Sequence, residues 1–119
     1  MPRFVLLEHR RGGVHWDFML EVGEALRTWA IDAPIVAGED LPARSLPDHR
    51  AAYLEYEGPV SGDRGMVRRV DRGWYEPVAW TPERVKVRVE GDQLIGFVEL
   101  RASGAIAGSW LFRLIGKVD

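Results

Sequence analysis

Three histidines occur in this chain, His9, His15 and His49, and the first two flank a short glycine-bearing loop with an aspartate close behind. His15 and Asp17 stand two residues apart in Val14-His15-Trp16-Asp17-Phe18-Met19-Leu20-Glu21-Val22. In a strand, residues at i and i+2 share a face with Cβ atoms roughly 6–7 Å apart, so an imidazole and a carboxylate at this spacing can converge on one cation. His9 closes the preceding run, Arg3–His9, and a hairpin through Arg10-Arg11-Gly12-Gly13 brings it beside His15. Two imidazoles and one carboxylate leave coordination positions open, as in a working metal site rather than a closed structural zinc. The same residues also serve an ordinary surface hydrogen bond between histidine and acid, and spacing alone leaves both readings open. With His49 as the second imidazole, the two-His, one-carboxylate pattern matches a non-haem iron oxygenase as well.

The elements that must position these groups read as strands. In Val14–Val22 the alternation puts Val14, Trp16, Phe18, Leu20 and Val22 on a core face and His15, Asp17, Met19 and Glu21 on the other. Similar alternation predicts further strands at Ala25–Ile31, Tyr53–Glu57, Gly65–Asp71, Trp74–Val78, Arg84–Glu90, Gln93–Arg101 and Ser109–Ile115, with Gly91-Asp92 as a two-residue hairpin turn. From Asp32 to Arg50 three prolines and no periodicity predict a long irregular connection with at most one helical turn. Gly58–Gly65 reads as a substrate-side loop or a simple turn. The expected fold is mostly β: a small closed or strongly curled antiparallel β-barrel of about eight strands with few short helices. Trp16, Phe18, Trp29, Tyr56, Phe97 and Trp110 are expected in its core.

The chain has 119 residues, 46% of them hydrophobic and 29% charged, which suits one hydrophobic core and a single domain over residues 1–119. The absence of cysteine excludes disulfides and thiolate metal sites, so a metal must take nitrogen and oxygen ligands. It also points to the cytoplasm. The apolar run before Glu8 is too short for a signal peptide or membrane span, so a soluble protein is expected. A net charge of −2 offers no global attraction to nucleic acid, and any phosphate binding must be local. Arginine, the dominant base here, suits bidentate phosphate contacts.

The residues Phe4-Val5-Leu6-Leu7-Glu8-His9, His15-Trp16-Asp17-Phe18-Met19-Leu20-Glu21, Leu26-Arg27-Thr28-Trp29-Ala30, Asp48-His49 with Tyr53, Tyr56-Glu57-Gly58, Asp71-Arg72-Gly73-Trp74-Tyr75 and Trp110-Leu111-Phe112 together resemble the 3′-phosphoesterase domain of bacterial DNA ligase D. The resemblance implies that His9, His15 and Asp17 bind a divalent metal, typically manganese. It implies that His49 and Tyr53 bind the scissile phosphate as catalytic residues. The activity implied is removal of 3′-phosphates and 3′-ribonucleotides from DNA ends in repair, on DNA or RNA-tailed DNA, beside an end-joining ligase or polymerase. Met19 stands where that family has a phosphate-binding arginine, Leu7 where it often has glutamine, and Pro47 where it has an acid. Losing one charge-assisted contact predicts an enzyme weakened roughly ten- to a hundredfold, with Arg44, Arg50 or Arg64 as replacements. The alternative is a degenerate module that binds metal and phosphorylated ends without turnover.

Overall fold

The computed structural model describes residues 1–104 and 106–119. Nine strands form one antiparallel sheet: β1 (Arg3–Arg10), β2 (Val14–Val22), β3 (Ala25–Ile31), β4 (Leu41–Arg50), β5 (Gly58–Pro59), β6 (Met66–Thr81), β7 (Arg84–Gly91), β8 (Leu94–Ala102) and β9 (Ser109–Val118). The order is β1-β2-β3-β4-β9-β8-β7-β6-β5, and β1 also pairs with β6, so eight strands close into a ring while β5 stays outside it on β6. A 3₁₀ turn at Ala51–Leu54 is the one helical element among the described residues.

Alternation builds the inside of the ring. Val85, Val87 and Val89 of β7 are buried there, with Arg84, Arg88 and Glu90 turned to water. Phe4, Leu6, Phe18, Leu20, Trp29, Ile31, Phe112 and Leu114 complete this cluster. Of the expected core aromatics, Phe18, Trp29 and Trp110 are buried and Trp16 packs at the edge. Phe97 is half-buried beneath the Lys86 ammonium, and Tyr56 is exposed because it lies outside the ring. Val14 and Val22, at the two ends of β2, are also exposed.

Three stretches depart from the sequence expectation. Gly65–Asp71 and Trp74–Val78 belong to one 16-residue strand, β6, whose first half pairs with β1 and whose second half pairs with β7. Gly73, which resembles a turn residue, is a close-approach glycine: a Cβ there would lie 2.1 Å from the Glu90 carbonyl oxygen. The supposed irregular connection contains β4, despite Pro42 and Pro47. Leu26 pairs with His49 and Thr28 with Leu46, so Pro47 and Asp48 together face Arg27 in a bulge that needs no ladder N–H from the proline. The supposed strand Tyr53–Glu57 is instead the 3₁₀ turn and the residues after it. Leu54 there folds over the outside of β1 and β2 and seals a second cluster with Val5, Leu7, Met19, Leu26, Val60 and Val67. The apolar run Val5-Leu6-Leu7 is therefore buried on both faces of its strand, in a sheet whose outer face is locally covered.

Candidate metal centre and phosphate cleft

The β1–β2 hairpin places His9 opposite His15 and Leu7 opposite Asp17. Because side chains alternate, His9, Leu7, His15, Asp17 and Met19 all lie on the outer face. The two imidazole rings meet at 4.8 Å between centroids. Asp17 is only 2% exposed, with Oδ1 3.0 Å from His15 Nε2 and Oδ2 3.5 Å from His9 Nδ1. One ligand atom from each of the three lies within 4.8 Å of the others, a spacing one ion can bridge.

The orientation of the His9 ring follows from its partners. His9 Nε2 sits 2.7 Å from the carbonyl oxygen of Arg64, which only accepts, so Nε2 donates there and Nδ1 is the ring nitrogen turned toward Asp17. Asp17 Oδ1 is sealed from water and receives no hydrogen bond from the described residues, since His15 Nε2 is near but not aligned to donate. A buried carboxylate oxygen in that state is costly unless a cation completes it. The donor set is nitrogen and oxygen only, and the outer ring nitrogen of His9 is fixed by a backbone carbonyl, as is usual for metal-ligating histidines. These residues fit a divalent ion.

A cleft of about 520 Å³ opens beside them, lined by His9, Asp17, Met19, His49 and Tyr53. His49 reaches it because the β4 bulge re-aims the strand just before it. Its Nδ1 donates to the Pro47 carbonyl at 2.9 Å, which leaves Nε2 as the ring's free nitrogen. Tyr53, on the 3₁₀ turn, meets the His49 ring edge to face at 5.8 Å and limits its rotation. The five predicted site residues thus gather around one region, with His15 behind Asp17 rather than in the cleft lining. His49 does not join the three-ligand cluster, which takes His9 instead.

Met19, at 1% exposure, belongs to the outer apolar cluster and forms part of the cleft wall. Of the suggested replacement arginines, Arg44 is held by both oxygens of Asp32, at 3.1 and 2.9 Å, a pairing that lifts its pKa above the ordinary arginine value, with Asp17 adding to the rise. Arg64 lines the cleft, but its guanidinium donates to the carbonyl and hydroxyl oxygens of Ser61. Arg50 also lines it and has no side-chain partner among the described residues. Arg11, which sequence reasoning passed over as a hairpin-loop residue, is in the same position. The doubled arginine at Arg10-Arg11, beside a suspected ligand, was the available signal.

A search of curated proteins finds no match to this chain. The family model of the DNA Ligase D 3'-phosphoesterase domain matches residues 7–101, from within β1 to within β8, and so covers all five candidate site residues. The chain belongs to the family of DNA ligase D 3′-phosphoesterase domains.

Proposed function

We propose that this chain hydrolyses phosphoesters at the 3′ ends of DNA, removing a 3′-phosphate or a terminal 3′-ribonucleotide so that an end-joining ligase or polymerase can use the end. In this reading His9 Nδ1, His15 Nε2 and Asp17 hold a divalent ion, with manganese as the family's usual choice. The observation that carries it is the buried, unpartnered Asp17 Oδ1 beside two imidazoles, at the wall of a cleft that also holds His49 and Tyr53.

When bound, the ion supplies charge neutralisation at the phosphate. The protein supplies the rest. The Arg64 carbonyl keeps the His9 ring oriented, and Asp17 anchors the site with a charge that the sheet buries. With Nδ1 committed to Pro47, His49 in its protonated form presents Nε2–H to the phosphate and can pass that proton to the departing 3′ oxygen. Tyr53 holds the ring in place. Water attacks phosphorus, the bond to the 3′ oxygen breaks, and a 3′-hydroxyl and inorganic phosphate result. Arg11 and Arg50 are free to neutralise the remaining phosphate charge. An enzyme of this kind works where the DNA is, which places it in the cytoplasm.

Met19 favours a second reading, a module that binds metal and phosphorylated ends without turnover, because a buried thioether occupies the place of the family's arginine. One assay separates the two: phosphate release from a primer–template bearing a 3′-phosphate, with manganese, for wild type and His49→Ala. Turnover in wild type that falls by about 10²–10⁴-fold in His49→Ala supports the enzyme. Binding of the phosphorylated end with no release over a metal-free control establishes the module instead.

A further inference from the structure

Beside the phosphate cleft lies a smaller pocket of about 180 Å³ that shares Arg50, Tyr53, Val60 and Ser61 with it and adds Tyr56 as a wall of its own. Tyr56 is 37% exposed, yet it is held from several sides. Its hydroxyl donates to the Pro59 carbonyl, and Tyr53 abuts its ring at 5.9 Å and 87°. Its hydroxyl end also packs over Gly58, where a Cβ would come within 3.2 Å of the hydroxyl oxygen. An aromatic that is both exposed and fixed offers a stacking surface with little rotamer freedom left to lose. The polar side chains nearby are few: Arg50, which lines both pockets and has no side-chain partner among the described residues, the Tyr53 hydroxyl, and the Ser61 hydroxyl, which already accepts from Arg64. An aromatic platform with an arginine beside it, in a small pocket next to a phosphate-sized cleft, is how proteins hold a nucleobase chiefly by stacking.

We infer that this side pocket seats the nucleobase of the 3′-terminal nucleotide, stacked on Tyr56, while Arg50 bridges to the phosphate in the cleft. The inference rests on the phosphoesterase reading for the identity of the cleft's ligand. It adds that the terminal base is itself bound, by stacking on Tyr56, and contributes to recognition of the end. A base paired and stacked within a duplex does not enter such a pocket, so the terminal nucleotide must be unpaired or frayed.

The test compares two primer–templates with an unpaired 3′ terminus, one ending in an ordinary nucleoside 3′-phosphate and one in an abasic residue 3′-phosphate. Wild type with manganese should favour the base-bearing end by about five- to a hundredfold in kcat/KM, mainly through KM. Tyr56→Ala should bring that ratio close to one, and Tyr56→Phe, which keeps the ring, should retain most of it. Equal use of both ends by wild type, or an unchanged ratio in Tyr56→Ala, overturns the inference. Fluorescence anisotropy with the same two oligonucleotides reads the ratio as binding. If wild type turns over neither end, the phosphoesterase reading fails, while the binding ratio still decides the base pocket.

Discussion

Asp17 on β2 and Asp71 on β6 sit on either side of β1, nearly level, each 2% exposed. Asp71 faces the inside of the ring opposite Leu6, and Asp17 the outside opposite Leu7. The fold satisfies one of them and not the other. Asp71 Oδ1 accepts the backbone N–H groups of Asp92 and Gln93, and Oδ2 that of Leu94, so it ties the β7–β8 turn to β6. Asp17 has two imidazoles for company, at 3.0 and 3.5 Å, and an oxygen with no aligned donor among the described residues. A buried carboxylate surrounded by N–H groups is explained by the chain itself. One with a sealed oxygen that no donor reaches calls for a cation to complete it.

The sharpest way to break this contrast is to remove each charge in turn. Asp17→Asn should abolish manganese-dependent activity, by roughly a thousandfold or more if the ion supplies several kcal/mol at the transition state. The metal-free melting temperature should hold or rise, because an uncompensated buried charge is gone. Loss of folding with activity retained in the folded fraction would invert the comparison. Asp71→Ala should do the opposite. The Gln93 and Leu94 N–H groups lose their acceptor, while the Asp92 N–H keeps the Arg72 carbonyl at 3.2 Å. Two orphaned backbone donors cost about 2–5 kcal/mol of stability, read in a urea titration, with manganese affinity of the folded protein unchanged.

Gly65→Ala sharpens the Asp17 side alone. Gly65 has φ +88°, and a Cβ there would lie 2.0 Å from the Arg10 carbonyl oxygen, so the backbone beside Arg64 must shift. The Arg64 carbonyl orients His9, and manganese affinity by calorimetry should fall about ten- to a hundredfold. The smallest effect belongs to an exposed carboxylate, Asp40. The Arg113 guanidinium hydrogen-bonded to it, and Arg101 beside that, hold its carboxyl below the usual aspartate range. A lowered folded-state pKa contributes stability that is present above the unfolded value of about 3.9 and lost as pH falls through the lower folded value. Wild type and Asp40→Asn should therefore differ slightly in melting temperature at neutral pH and converge in strong acid. A difference that grows in acid would reverse the sign.

Much of the site's first half is legible along the chain. The alternation in β2 and the glycines at Gly12 and Gly13 put His9, His15 and Asp17 on one face of one hairpin without reference to anything distant. The valine ladder of β7 is legible for the same reason, while the turn expected at Gly91-Asp92 falls one residue later, at Asp92-Gln93, because Gly91 continues β7. The second half is not. Pro42 and Pro47 disguise β4, since a proline at a bulge leaves no periodic trace. Tyr53 to Glu57 alternates like a strand, yet Leu54 is drawn into an outer cluster whose other members are spread from Val5 to Val67. Gly73 reads as a break in a strand that passes straight through it.

Local order by itself determined a mostly β chain, the β1–β2 register and the three candidate ligands on one face, because a short loop and a period of two fix side-chain direction over a few residues. Only the tertiary structure decided what those ligands face. Closure of β1 onto β6 brings the Arg64 carbonyl to His9 across 55 positions of sequence. The β4 bulge swings His49 toward the same cleft, and the 3₁₀ turn buries Met19 and supplies Tyr53. The choice of which buried aspartate receives backbone donors depends on where a turn twenty residues away lands. Such pairings are set by burial summed around the whole ring, a quantity that no window of sequence contains.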